Sequence, residues 1–180
     1  LVFNSGDWGY TIKIWDASTG QEIKTLIGKY SSGSDSLSYS PDGRYIASIT
    51  WTAGWILTIW DANTGQQIIA VNSGHKYSIG SLKYSPDGRY LASGSGDGTI
   101  KIWDASTLQL IRTIIAEYSC GIGTIKYSPD GKYIASDSCN NTIKIWDTSS
   151  GQLIQNLTGH YENVKSLSYS PDGKYIAIAS

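Results

Sequence analysis

Two short motifs recur four times each along the chain and limit its fold more than any other feature. They are the turn Ser-Pro-Asp-Gly and the anchor Ile-Trp-Asp, joined three times by a β-prone run. The turn falls at Ser40–Gly43, Ser85–Gly88, Ser128–Gly131 and Ser170–Gly173, and the anchor at Trp15, Trp60, Trp103 and Trp146. The Trp-to-Trp spacings are 45, 43 and 43 residues. Self-similarity at such a period means units that bury their apolar faces only by stacking on their neighbours, as in a solenoid or propeller.

The repeats run from end to end without a linker, so residues 1–180 read as a single domain. Bulk comes from seven Trp, thirteen Tyr and many Ile, with one Phe and no Met, a β-favouring inventory. The formal net charge is −1 and no like charges cluster. A nucleic-acid groove or an anionic membrane surface would need clustered Lys or Arg, so neither partner is expected. No apolar run is long enough to span a bilayer as a helix, and no signal segment is seen. A soluble cytoplasmic setting is the expectation. Both ends fall inside strand-like runs, which suggests a processed chain or an excised segment.

The unit is clearest between Ser81 and Gln109. Four strands are expected, at Ser81–Ser85, Arg89–Ser93, Thr99–Trp103 and Leu110–Ile114. Pro86 presets the first corner of the turn and Gly88 accepts the left-handed conformation that returns the chain. Ile100 and Ile102 point to one face and Trp103 to the other. Apolar residues on both faces predict a sheet covered on both sides, as blades are around a propeller axis.

At this point the chain resembles the WD40 repeat family, whose blades close on Trp-Asp and often open on Gly-His. Trp-Asp is present four times (Trp15-Asp16, Trp60-Asp61, Trp103-Asp104, Trp146-Asp147) and Gly-His twice (Gly74-His75, Gly159-His160). The resemblance implies an all-β propeller of four-stranded antiparallel blades a to d. Four blade equivalents result, with repeats at roughly 1–28, 29–73, 74–116, 117–158 and 159–180, the first and last partial. It also implies a structural hydrogen-bond network, matched in full only by His75, Ser93, Asp97 and Trp103. Ser48 with Trp60, and Ser136 with Trp146, keep two members. Tyr30 and Tyr118 fill the His column elsewhere, and Thr52 and Asn140 or Asn141 lie near the Asp position.

His75, Ser93 and Asp97 also have the residue types of a hydrolase triad. No nucleophile elbow or glycine-rich phosphate cradle accompanies them, so no enzyme and no catalytic residue are expected. Two His, neither near a Cys or a carboxylate cluster, predict no metal and no cofactor. Cys120 and Cys139 fall in loops of one blade and are expected to be free thiols. Asn140-Asn141-Thr142 and Asn156-Leu157-Thr158 match an acceptor pattern for glycans that arises often by chance.

Loop aromatics point to the function. In the resembled fold the d–a and b–c loops share the top face, where this chain places Trp8, Tyr10, Trp51, Trp55, Tyr77 and Tyr161. Trp and Tyr dominate interface hot spots, and loops on rigid scaffolds carry recognition. The expected function is a non-enzymatic scaffold for a protein or peptide partner. A glycan-binding propeller and a fragment of a larger regulatory protein are the alternatives.

The end repeats leave a split blade. Strands c and d come from Thr11–Trp15 and Gln21–Leu26, strands a and b from Val164–Ser170 and Lys174–Ser180. Closure within one chain would pair Tyr175–Ser180 with Thr11–Trp15, with Leu1–Ser5 competing for the same slot. A four-blade ring needs about 90° between blades, steep for this family. Two chains related by a two-fold axis give eight blades, so a homodimer is the favoured assembly.

Overall fold

β-Branched and aromatic residues alternate between turn signals in each repeat, and they form strands. A computed structural model describes residues 11–27, 36–116, 121–138 and 141–180. Among them β1 (Thr11–Trp15) and β2 (Glu22–Ile27) form a two-stranded antiparallel sheet. Three four-stranded sheets follow. The first is β3 (Ser36–Tyr39), β4 (Tyr45–Trp51), β5 (Trp55–Asp61) and β6 (Gln67–Asn72); the second is β7 (Ile79–Tyr84), β8 (Tyr90–Ser95), β9 (Thr99–Asp104) and β10 (Leu110–Ile115). The third is β11 (Ile125–Tyr127), β12 (Tyr133–Ser138), β13 (Thr142–Asp147) and β14 (Leu153–Leu157). The chain ends in the pair β15 (Ser166–Tyr169) and β16 (Ile176–Ala179). Strand limits differ from the expected ones by a residue or two, because ladders extend until a turn residue stops them.

Two local devices repeat. In the Ser-Pro-Asp-Gly turn, the Ser85 hydroxyl donates to Asp87 at 2.5 Å and accepts the Tyr90 amide at 3.0 Å. Gly88 takes φ +73°, a conformation that costs a residue with a Cβ. In the turn after Trp-Asp, Asp104 accepts the amides of Ser106 and Thr107 and the Ser106 hydroxyl. Those bonds, led by the Ser106 hydroxyl, hold the Asp104 carboxyl down at about 2. Asp16 and Asp147, led by Ser18 and Ser149, are held equally low.

Period-two alternation sends each sheet's side chains to opposite neighbours. Ile46 and Trp60 pack back onto Ile12 and Leu26 of the first half-blade. Ala47, Ile49, Leu57 and Ile59 pack forward onto Leu82, Tyr84, Leu91 and Trp103. Ala92, Ile100 and Ile102 meet Ile125, Ile134 and Trp146, and Ala135, Ile143 and Ile145 meet Leu167. The core is therefore a series of sheet-to-sheet interfaces. Side chains also cross between inner strands: the Leu82 amide donates to Ser36 Oγ at 2.9 Å and the Tyr84 amide to Ser38 Oγ at 3.1 Å.

Closure within one chain is corrected by this structure. β16 pairs with β15 and β1 with β2, and no ladder joins β16 to β1. The sequence segment Leu1–Ser5 lies outside the described residues.

Candidate functional site

The network of the second complete blade is built from four elements. His75 enters on the loop between β6 and β7, Ser93 lies on β8, Asp97 in the β8–β9 turn and Trp103 on β9. Ser93 Oγ accepts the Trp103 indole N–H at 3.0 Å and lies 2.8 Å from His75 Nε2. His75 Nδ1 is 3.1 Å from Asp97 Oδ2. Asp97 is an acceptor, so Nδ1 carries the proton, Nε2 accepts, and the Ser93 hydroxyl donates to it. The Lys76 amide donates to Asp97 Oδ2 at 2.9 Å, and Thr99 Oγ1 to Oδ1 at 2.6 Å.

These distances reproduce a serine–histidine–aspartate relay, but the setting opposes nucleophilic chemistry. Ser93 is fully buried and its oxygen already accepts the indole N–H of Trp103, so no substrate carbonyl reaches it. Among the described residues, no three His, Cys, Asp or Glu side chains gather closely enough to hold a metal ion.

Burial lowers the His75 pKa below the ordinary 6.5, and Asp97 only partly opposes this. The unfolded chain therefore takes up a proton that the folded chain refuses. Stability should fall as pH drops below 6.5 towards the lowered value, and stay level above it. Urea midpoints between pH 8 and 5 measure this, and His75→Gln should flatten that part of the profile. A wild-type midpoint that rises on acidification would contradict it.

In the other complete blades the indole bonds persist, from Trp60 to Ser48 at 2.9 Å and from Trp146 to Ser136 at 3.0 Å. Tyr30, Tyr118, Asn140, Cys120 and Cys139 lie outside the described residues. Thr52 donates its amide to the Gly54 carbonyl within its own hairpin. Two features were not anticipated. Thr99 bridges His75 Nδ1 and Asp97, a role hinted at only by its place just before the Ile-Lys-Ile-Trp run. Asp137 stands where the preceding repeat has Gly94, and its carboxylate accepts the Gly123 and Thr124 amides. Burial raises the Asp137 pKa.

Of the loop aromatics, the fold brings Trp51 and Trp55 together. They face each other across the β4–β5 hairpin with ring centroids 5.1 Å apart and planes tilted by 58°. Trp51 is exposed, whereas Trp55 leans on the core of the first interface. The Ser73 amide donates to the Trp55 carbonyl, so the loop leading to Tyr77 starts beside this hairpin. Tyr77 is exposed, and its carbonyl accepts the Ser95 hydroxyl at the neighbouring β8–β9 turn. Tyr161, 96% exposed, precedes β15 two repeats further on. Trp8 and Tyr10 lie outside the described residues.

The WD40 family model, described as WD domain, G-beta repeat, matches residues 66–104, 108–147 and 151–180, more than half of the chain. The chain is a WD40-repeat protein. Each matched segment contains or completes one Trp-Asp unit or its Ser-Pro-Asp-Gly turn, so the family match and the sheets mark the same periodicity. No curated protein matches this chain. WD40 repeats generally mediate protein interactions as scaffolds, and WD40 proteins are generally non-enzymatic.

Proposed function

We propose that this WD40 chain is a non-enzymatic scaffold that captures a protein or peptide partner on the face carrying the b–c and d–a loops. The Trp51–Trp55 pair carries the reading. It offers exposed aromatic area on a hairpin held by a continuous ladder from Tyr45↔Asp61 to Trp51↔Trp55. Rigid aromatic side chains bind with little loss of conformational freedom, which is why they anchor interfaces. Tyr77 lies on the adjoining loop and widens the same surface, and Tyr161 extends it in the proposed assembly. That assembly is a ring of eight blades from two chains, each supplying three complete blades and two halves.

Panning a displayed random-peptide library on the full chain, then titrating the selected peptides, tests the capture surface. Trp51→Ala should weaken binding by at least about tenfold, roughly 1.4 kcal/mol. Its melting temperature should stay near wild type, because Trp51 is exposed. Selected peptides that bind the variant unchanged, or a glycan array that responds when no peptide does, would overturn the reading.

A further inference from the structure

The first and last of the described strand pairs adjoin copies of surfaces that bind each other inside the chain. Residues 166–177 (SLSYSPDGKYIA) repeat residues 36–47 (SLSYSPDGRYIA) with a single change, Arg44 to Lys174. In the inner copy, the forward face of β3–β4 has a defined task. Ser36 and Ser38 accept the Leu82 and Tyr84 amides, while Ala47 and Tyr45 cover the Leu82 and Tyr84 side chains. In the outer copy the same face, on β15–β16, has no sheet ahead of it among the described residues, and Tyr175 is 72% exposed.

The receiving surface is duplicated too. Leu37 and Tyr39 occupy on β3 the positions that Leu82 and Tyr84 hold on β7. Leu82 is 0% and Tyr84 8% exposed beneath their covering sheet, while Leu37 is 43% and Tyr39 50% exposed. The adjoining c strand, β1, has the same open side. Its Trp15 is 52% exposed, against 3% for Trp103 at the equivalent place. Among the described residues β1 pairs with β2 alone, and a strand edge left open beside an uncovered apolar face is a template for pairing.

We propose that a second copy of this chain seats its β15–β16 pair in that gap, a step that rests on the eight-bladed reading above and assigns its joint. Ser166 and Ser168 of one copy would accept the Leu37 and Tyr39 amides of the other. β16 would extend the β1 ladder in the register that β8 uses with β9. There Ala92 faces Ile102 and Leu91 faces Trp103, so Ala177 faces Ile14 and Ile176 faces Trp15 across the joint. Trp15 is then covered by the last complete blade of the other copy, as Trp103 is covered by the blade before it. The joint departs from the inner template at one point. Ile178 stands in the column of Ser48, Ser93 and Ser136, so the Trp15 indole gains no hydroxyl acceptor there. Ladder bonds and apolar cover hold the joint in its place. About a two-fold axis two copies form this joint twice, the β15–β16 pair of each filling the gap of the other, so the assembly closes.

Light scattering during gel filtration of the full chain should give twice 19.5 kDa. Leu37→Asp, at an exposed position, should give the monomer mass with an unchanged far-ultraviolet spectrum. In a background with Cys120 and Cys139 replaced by Ser, Ile14→Cys with Ala177→Cys should oxidise to a covalent dimer. Neither single cysteine should give it in the same yield. A dimer that ignores Leu37→Asp and fails to form this bridge overturns the joint while leaving the two-chain ring standing. A folded wild-type monomer overturns both. A monomer that becomes dimeric only when residues 1–10 are removed assigns the gap to the chain's own N-terminus, against the proposal.

Discussion

Ser93→Ala should lower the melting temperature by roughly 5–15 °C, at about 2–4 °C per kcal/mol for a domain of this size. The Ser93 hydroxyl sits at the centre of the one fully matched network, accepting from Trp103 and donating to His75. Its removal leaves a buried indole N–H and a buried imidazole nitrogen without partners, each costing about 1–3 kcal/mol. Ser136→Ala is the comparison, because Ser136 Oγ serves only Trp146 among the described residues. The Ser136 variant should lose about half as much. Calorimetry that ranks the two equally would mean that the His75 bond adds nothing to stability.

Gly80→Ala should destabilise the chain by about 1–3 kcal/mol, the usual cost of overpacking a close contact. A Cβ at Gly80 would stand 2.8 Å from the Gly123 carbonyl oxygen and 3.0 Å from its Cα. Both are backbone atoms of the next blade, so relief requires the second and third sheets to part. Gly54→Ala is an instructive contrast. Its Cβ would be even closer to an obstacle, 2.7 Å from Asn72 Nδ2, but that atom ends a side chain that can turn away. Urea unfolding should therefore show Gly54→Ala costing less than Gly80→Ala. The reverse order would place the rigid contact at the Trp51 hairpin instead of between the inner strands.

Much of the candidate site was legible because its parts are local and repeated. His75, Ser93, Asp97 and Trp103 each stand at a fixed offset within one repeat, so matching that offset was enough to name them. Their bonds close within one sheet and its entering loop. Thr99 and Asp137 were missed for opposite reasons. Thr99 is an ordinary strand residue whose role depends on where the His75 ring lands, and Asp137 shows only as a break in the repeat. The aromatic surface was legible as composition, but not as geometry. Nothing in the order Trp51-Thr52-Ala53-Gly54-Trp55 says that one indole meets solvent while the other leans on the core. As cross-strand partners both stand on one face of the first sheet, and the difference follows from which of the two the packed second sheet reaches.

The chain's own order determined its turns, its strand count and the two-faced character of each sheet. Ser-Pro-Asp-Gly and Trp-Asp act over a few residues, and alternation acts along one strand, so both are complete in one dimension. Only the tertiary structure decided how the repeats meet. The approach of Gly80 to Gly123 and the reach of Ser36 and Ser38 to the next strand's amides join residues of different repeats. Such contacts depend on the angle between packed sheets, which is set by many side chains at once and written at no single position.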